Sequence, residues 1–233
     1  KESVLILSDL QLGYEENLNK QGILVPRFQL EDIKKTLEKL LKKLKPNKVV
    51  INGDLKHEFG KISDQEWRNT LKLIDYFSKH CKEIILIKGN HDTFLGPIAK
   101  KRDVKVLEHY LIDKNQKNKT LKNSKGIFGV PKNSKNFSSI LVLHGNEIPN
   151  KDLLKDVSTI IIGHEHPAVS VREGPRAELF KAYLVGKWHG KNLIAQPSFN
   201  LVTEGTDVLK EEILSPFLKG NLKNFDAVVV SDK

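Results

Sequence analysis

The chain has 233 residues, of which 29% are charged, and it carries one cysteine and a formal charge of +10. No apolar run reaches the roughly 18–20 residues that a membrane helix needs, which excludes a membrane-spanning class and predicts no membrane partner. The lone Cys81 excludes an internal disulfide and fits a reducing compartment, so we expect a cytoplasmic protein. We predict a single domain over residues 1–233, with its core at about 3–200 and a C-terminal extension at 201–233.

The first half of the chain alternates strand and helix patterns. Residues 27–44 place apolar side chains at helical spacing with lysines on the other face, and Pro46 follows as a stop signal. Asp64 is a suitable N-cap for a second helix. We predict strands at 3–7, 48–51 and 83–87 and helices at 27–44 and 64–79. Repeated strand–helix–strand units predict an α/β sheet with helices packed on it.

The second half is richer in strands and poorer in helices. We predict strands at 104–107, 110–112, 126–128, 139–143, 159–162, 179–185, 192–195 and 226–230. The polar segment at 113–125 and the stretch around Gly174 and Pro175 are predicted surface loops.

Five polar clusters follow directly on predicted strands. Because the carboxyl ends of strands meet at one edge of an α/β sheet, we expect these clusters to share one crevice. Their candidate site residues are Asp9, Gln11, Asp54, Asn90, His91, Asp92, His144, His164 and His166.

These clusters mix carboxylate oxygen, amide oxygen and imidazole nitrogen, which suits manganese, iron or zinc better than magnesium or calcium. Six or seven candidate ligands exceed the three or four of one zinc site, and they are sufficient for two ions that share a carboxylate. Two such ions about 3.5–4 Å apart can activate a water molecule for phosphoryl displacement. His91 follows Asn90 directly, so we expect it beside the ions as the acid for the leaving oxygen, oriented by Asp92.

This series of clusters resembles the calcineurin-like metallophosphoesterases. The resemblance spans residues 3 to about 200 and implies a four-layer αββα sandwich with the site at the carboxyl edge of its strands. It implies a first metal held by Asp9, Gln11, Asp54 and His166, and a second held by Asp54, Asn90, His144 and His164, with His91 as proton donor. The motifs that carry it are Asp9-x-Gln11, Gly53-Asp54, Gly89-Asn90-His91-Asp92, His144-Gly145 and Gly163-His164-Glu165-His166.

A narrower resemblance points to the SbcD-related archaeal phosphoesterases and the bacterial ligase-associated endonucleases. It lies at residues 8–15, 53–57, 197–200 and 205–207. In the SbcD-type nucleases, a histidine shortly after the bridging aspartate contacts the substrate, and His57 matches that position. The resemblance thus implies DNA as the substrate and a DNA-repair or helicase protein as a partner, while the oligomeric state stays open.

We therefore expect a metal-dependent phosphoric ester hydrolase, a phosphodiesterase or nuclease that cleaves DNA by attack of a metal-bridging hydroxide. The excess of lysine favours such a polyanionic substrate. We expect two divalent ions, manganese first, with iron, zinc or nickel as alternatives. Gln11 stands where the family usually has histidine. Three consequences stay open for the first metal: weaker binding, a preference for a harder ion such as manganese, or contact with Gln11 only through water.

Two further hypotheses stay open at this point. One is a phosphodiesterase or phosphatase for a small nucleotide-type molecule. The other is a degenerate, non-catalytic scaffold, which only the glutamine at position 11 favours.

Overall fold

A computed structural model describes residues 3–60, 62–93, 95–113, 139–220 and 222–231. The helices are α1 (Tyr14–Lys20), α2 (Gln29–Leu44), α3 (Asp64–Ser78), α4 (Leu95–Arg102) and α5 (Lys151–Leu154), with a 3₁₀ turn at Leu222–Asn224. The strands are β1 (Val4–Ser8), β2 (Lys48–Asn52), β3 (Glu83–Ile87), β4 (Lys105–Leu107), β5 (His109–Asp113), β6 (Ser139–Leu143), β7 (Val157–Ile162), β8 (Pro167–Glu173), β9 (Arg176–Trp188), β10 (Lys191–Ala195), β11 (Thr206–Asp207) and β12 (Asp226–Val229).

Two sheets form the centre of the fold. The first is fully parallel in the order β1-β2-β3-β4. The second is mixed in the order β11-β8-β9-β10-β7-β6-β5, and β12 also pairs with β9. Strand β7 runs parallel to both β6 and β10, so the ends of β6 and β7 lie side by side.

Alternating side chains place each central strand between two apolar layers. Within β2, Val49 and Ile51 pack with the helices while Val50 packs toward the second sheet. Within β7, Ile161 faces the first sheet, and its two neighbours face the other way. This period of two is expected for strands that are covered on both faces. The sheets therefore meet face to face, as the αββα prediction requires.

The two outer layers differ in kind. Helices α2, α3 and α4 cover the first sheet with apolar side chains such as Ile33, Phe77 and Ile98. The outer face of the second sheet is covered by Leu154 of α5 and by the largely irregular segment that contains Phe217. The mixed α/β sandwich is confirmed, and its fourth layer is mostly chain without regular structure.

The predicted strands and the two long helices within the described ranges are confirmed, with shifts of a few residues at their ends. Elements α1, α4, α5, β8 and β11 were not predicted. In α4, Gly96 and Pro97 interrupt the pattern that indicates a helix. The N-cap of α3 is Ser63 and not Asp64. The predicted strand at 126–128 and residues 114–125 of the predicted loop lie outside the described residues. None of the helices described is long and apolar enough to span a bilayer.

Candidate metal centre

The polar clusters that follow β1, β2, β3, β6 and β7 come together at one edge of the sandwich. The carboxyl ends of these strands, from both sheets, lie there. The Asp9 amide donates to the Gly53 carbonyl at 3.2 Å, which joins the segments after β1 and β2. The Gly163 amide donates to the His144 carbonyl at 2.8 Å, which joins those after β6 and β7. The His164 amide then donates to the Asp9 carboxylate at 3.1 Å and connects the two sheets.

Two groups of potential metal ligands share one carboxylate, that of Asp54. Asp54, His144 and His164 form one group, and Asp9, Asp54 and His166 form the other. The ligand atoms of each group lie within 4.8 Å of one another. His144 Nε2 lies 3.4 Å from Asp54 Oδ2, and His166 Nε2 lies 3.3 Å from Asp9 Oδ1. The arrangement therefore provides two adjacent groups of potential ligands with a common carboxylate.

The two predicted amide ligands lie at the same edge. Asn90 Oδ1 is 2.9 Å from His144 Nε2, so this oxygen lies beside the first group. Gln11 is buried. Its backbone N–H donates to the backbone carbonyl of Asp54 at 2.8 Å, and its side-chain Oε1 accepts a hydrogen bond from Asn200 at 3.3 Å. All seven predicted ligands are thus brought to one region of the fold.

The electrostatics of this region favour positive charge. Burial would raise the pKa of Asp9, but its contacts with His166 and His144 leave that pKa below its usual 3.8. Burial would lower the pKa of His144, yet its hydrogen bond to Asp54 and the charge of Asp9 raise it to about 9. Burial and the neighbouring His144 lower the pKa of His164 to about 4, so that imidazole keeps a lone pair for a cation.

The donor set fits divalent cations. Asp9 and Asp54 are both buried, and within the described ranges neither carboxylate forms an ion pair with a lysine or an arginine. Buried carboxylates require a compensating positive charge, and the groups that face them here are imidazoles. Carboxylate oxygen combined with imidazole nitrogen is a ligand mixture for manganese, iron or zinc.

Backbone strain is concentrated at the candidate ligands. A positive φ is uncommon for residues other than glycine and costs on the order of 1 kcal/mol or more. Five of the candidate ligands have one, and they are Asp9, Gln11, Asp54, His164 and His166, with φ between 45° and 66°. Tight turns directly after the strands are what direct these side chains into the shared edge.

His91 lies beside the shared carboxylate and is held by backbone. Its amide N–H donates to Asp54 Oδ1 at 3.0 Å, and its Nε2 lies 3.7 Å from Asp54 Oδ2. Its Nδ1 meets the carbonyl oxygen of His57. A carbonyl only accepts, so Nδ1 carries the proton and Nε2 faces the carboxylate. The ring of Phe59 lies against this imidazole, with 3.5 Å between ring centroids.

Asp92, which was predicted to orient His91, has a carboxylate that bonds to backbone amides. It accepts hydrogen bonds from the amides of Gly89 at 3.0 Å and Leu55 at 3.2 Å. Burial, together with the charge of Asp54, raises its pKa to about 7. Asp92 therefore fastens the segment after β2 to the segment after β3, and the ring of His91 is oriented by the His57 carbonyl.

His57 forms hydrogen bonds through its backbone, whereas its ring makes packing contacts. Its amide donates to Glu66 at 3.0 Å, while its carbonyl meets His91. Its ring packs edge-on against Tyr14, with 4.6 Å between centroids, and its buried Nδ1 has no hydrogen-bond partner among the described residues. Burial and the nearby His91 lower the pKa of His57 to about 4, so the ring is neutral near pH 7.

Two residues at this edge were missed by the sequence analysis. Gln29 is fully buried at the start of α2 and donates to the carbonyls of Leu10 and Gln11. Phe59 is exposed yet touches His91. Neither residue has a local signal, because a polar residue in the first turn of a helix and an aromatic residue in a loop are both common.

Two sheets with a shared edge rich in carboxylates and imidazoles are the architecture of a metal-dependent hydrolase. A family model of calcineurin-like phosphoesterases matches residues 3–208, and the chain belongs to this family. The fold is similar to that of nuclease MPE from Pseudomonas putida, at 16% identity and a TM-score of 0.54 over 90% of this chain and 80% of that one. Yfce, a phosphoesterase from E. coli, matches 85% of this chain and 81% of its own length at 12% identity and a TM-score of 0.40. No curated protein sequence gives a significant match.

Proposed function

We propose that this protein is a two-metal phosphodiesterase that cleaves DNA. The observation that carries the two-metal proposal is the shared carboxylate of Asp54, which belongs to both groups of potential ligands. The proposed ligands of the first ion are Asp9, Gln11, Asp54 and His166. Those of the second are Asp54, Asn90, His144 and His164. Manganese suits this mixture of oxygen and nitrogen donors and is the proposed ion.

Two divalent ions at these positions would activate a water molecule and neutralise charge on the phosphoryl oxygens. The chain's own acid is His91. The donating form is the imidazolium, in which Nδ1–H is held by the His57 carbonyl and Nε2–H, on the side that faces Asp54, gives its proton to the leaving oxygen and leaves the neutral ring protonated at Nδ1. The buried Asp92 keeps the segment of His91 in place through backbone hydrogen bonds.

Three observations support DNA as the first substrate to test. The formal charge of +10 favours a polyanion. Phe59 is 62% exposed while it rests against His91, so an aromatic surface is open to solvent beside the proposed acid, and a nucleobase can stack on such a surface. The Pseudomonas putida protein of similar fold is a nuclease.

The test is cleavage of end-labelled single- and double-stranded DNA with manganese and with a chelator. His91→Ala is compared with His80→Ala, a matched control in which the ring of the replaced histidine packs on Tyr76 at the end of α3. We expect manganese-dependent cleavage that His91→Ala reduces by about 10²–10⁴-fold and that His80→Ala leaves unchanged.

A protein that binds manganese but leaves both DNA forms intact would contradict the DNA assignment. A chromogenic phosphodiester and a set of cyclic nucleotides would then test the small-molecule hypothesis. Equal activity of His91→Ala and the parent would contradict the proposed acid. A purified protein that binds no divalent ion would favour the scaffold hypothesis.

A further inference from the structure

The side chain of Gln11 belongs to a buried chain of amide groups that continues through Asn200 to Gln29. Asn200 Nδ2 lies 3.3 Å from Gln11 Oε1, and Asn200 Oδ1 lies 3.2 Å from Gln29 Nε2. Asn200 and Gln29 are essentially inaccessible to solvent, with 0% and 1% exposure. Buried amides hold a single orientation only when each donor faces an acceptor. The arrangement of donors and acceptors along this chain therefore determines the orientation of the Gln11 side-chain amide.

Backbone groups with fixed roles determine which way every amide in the chain points. The Val202 amide N–H, which is only a donor, contacts Asn200 Oδ1 at 2.8 Å. At the other end, the Gly13 amide N–H contacts Gln29 Oε1 at 3.2 Å, and Gln29 Nε2 contacts the carbonyls of Leu10 and Gln11. Asn200 must therefore present its NH₂ group to Gln11, and the Gln11 atom that it meets must be the oxygen.

The loop that carries Asn200 is itself fastened. Lys181 of β9 donates to the Ser198 carbonyl and to Ser198 Oγ, each at 3.0 Å, and to the Asn200 carbonyl. The Phe199 amide donates to the Ser8 carbonyl at 2.8 Å, immediately before Asp9. The backbone of Asn200 is thus tied both to the second sheet and to the segment that carries Asp9 and Gln11.

We propose that Asn200 is a positioning residue that selects the oxygen of Gln11 as the metal-ligating atom, with Gln29 as its support. An amide oxygen has two lone pairs, and one of them accepts from Asn200 while the other remains for the cation. Hydrogen bonds to the groups that ligate a metal orient those groups, and their loss weakens metal binding by about 10–100-fold. The inference rests on the proposed function, in which Gln11 is a ligand.

Asn200→Asp is a sharp test because it changes one donor into an acceptor at almost constant size. The ionised aspartate keeps an oxygen for Val202 and Gln29 but cannot donate to Gln11, so the Gln11 amide turns its NH₂ group toward position 200. The added negative charge by itself would tighten the binding of any nearby cation. A weaker site can therefore come only from the lost donor.

The measurement is a calorimetric titration of the metal-free protein with manganese alone. We expect two equivalents in the parent, and in Asn200→Asp one equivalent weakened about 10–100-fold while the other keeps its affinity. Asn192→Asp is the matched control: it alters an amide in β10 that contacts Thr159 of β7, and it should leave both affinities unchanged. Circular dichroism of each variant checks that the fold is retained.

A second variant separates positioning from a merely structural role. In Asn200→Asp combined with Gln11→His, one imidazole nitrogen donates to Asp and the other is free for the cation, so we expect the lost affinity to return. Unchanged or tighter binding in Asn200→Asp, or no recovery in the double variant, would overturn the proposal. A parent that binds two equivalents without cutting DNA would contradict only the DNA assignment.

Discussion

At the scale of single residues, the candidate centre depends on glycines that leave room for its side chains. A Cβ on Gly89 would lie 2.0 Å from Asp54 Oδ1 and 2.4 Å from the Asp54 amide nitrogen. A Cβ on Gly53 would lie 2.1 Å from His144 Nδ1. Separations this short cannot exist, so any larger residue at either position must displace a candidate ligand.

The substitution Gly89→Ala is expected to displace Asp54 and to abolish manganese binding, with a loss of stability of about 1–3 kcal/mol from overpacking. Manganese titration and urea denaturation measure the two effects. Gly96→Ala is the matched control, because a Cβ there meets nothing within 4 Å and the position lies in α4. The control should bind manganese normally, and its stability should stay the same or rise by about 0.5–1 kcal/mol. Normal manganese binding by Gly89→Ala would contradict this prediction, because it would show that Asp54 can move without loss of manganese binding.

At the scale of elements, the first turn of α3 supports the segment that positions His91. Ser63 and Glu66 form a capping box, in which each side chain bonds the other's backbone amide. The Glu66 carboxylate also accepts the amides of His57 at 3.0 Å and Glu58 at 2.7 Å. The cap of one helix therefore fixes the backbone whose carbonyl meets His91. The sequence analysis placed this cap at Asp64, and it identified neither the capping box nor the further bonds of Glu66.

A second cross-element contact predicts how stability depends on pH. Glu83 at the start of β3 pairs with Lys48 of β2 at 2.9 Å and Lys105 of β4 at 2.6 Å. Partial burial raises the pKa of Glu83, but the hydrogen bonds from Lys105 and Lys48 outweigh it and leave that pKa below its usual 4.5. Because the folded pKa is the lower one, the stabilisation is present above pH 4.5 and is lost as pH falls through the folded value.

We expect Glu83→Gln to lower the free energy of unfolding by about 0.5–1 kcal/mol at pH 7. The difference from the parent should shrink as the pH falls below 4.5 and disappear once the pH is below the folded pKa of Glu83, where the parent's carboxylate is also neutral. Urea denaturation at pH 7 and pH 3 measures both values. Glu38→Gln, which breaks an exposed pair with Lys42 on α2, is the control and should have a smaller effect at pH 7. A constant difference at both pH values would contradict the assignment of the shift to Glu83.

At the scale of the whole molecule, the centre exists because two sheets meet with their strand ends aligned. Its members come from positions as far apart as Asp9 and His166, and they are joined by contacts such as the 3.1 Å bond from the His164 amide to Asp9. Gln196 ties the sheets together further along the chain through the Ile162 and Ile6 carbonyls. If the two buried carboxylates at this junction hold the proposed cation, its binding couples to the stability of the fold.

Manganese should therefore stabilise the whole fold. A cation that binds only the folded chain adds about 2.7 kcal/mol at 100 times its dissociation constant. For a chain of this size, that energy corresponds to a rise of about 5–10 °C in Tm, which excess chelator should reverse. Asp54→Asn should remove most of the rise, since both ligand groups lose their common member. Asp75→Asn, which breaks a pair with Arg102 away from the candidate ligands, should keep it. An equal rise in Asp54→Asn would indicate that manganese binds elsewhere.

The sequence by itself determined the strands, the polar clusters after them and the kinds of ligand they offer. Runs of β-branched and apolar residues are a local signal, and polar residues at strand ends converge wherever strands are parallel. The family assignment and the α/β sandwich, which were predicted from these local signals, are confirmed. The individual ligand roles and the single domain over 1–233 stay predictions.

Only the tertiary structure decided how the candidate site residues are held. The His57 carbonyl meets His91, Asp92 binds backbone amides, and Asn200 meets Gln11 across 189 positions of sequence. Every residue carries a carbonyl and nearly every one an amide, so residue types do not reveal which of these groups meet. The pairing of distant side chains depends on how the two sheets pack, which local patterns do not encode.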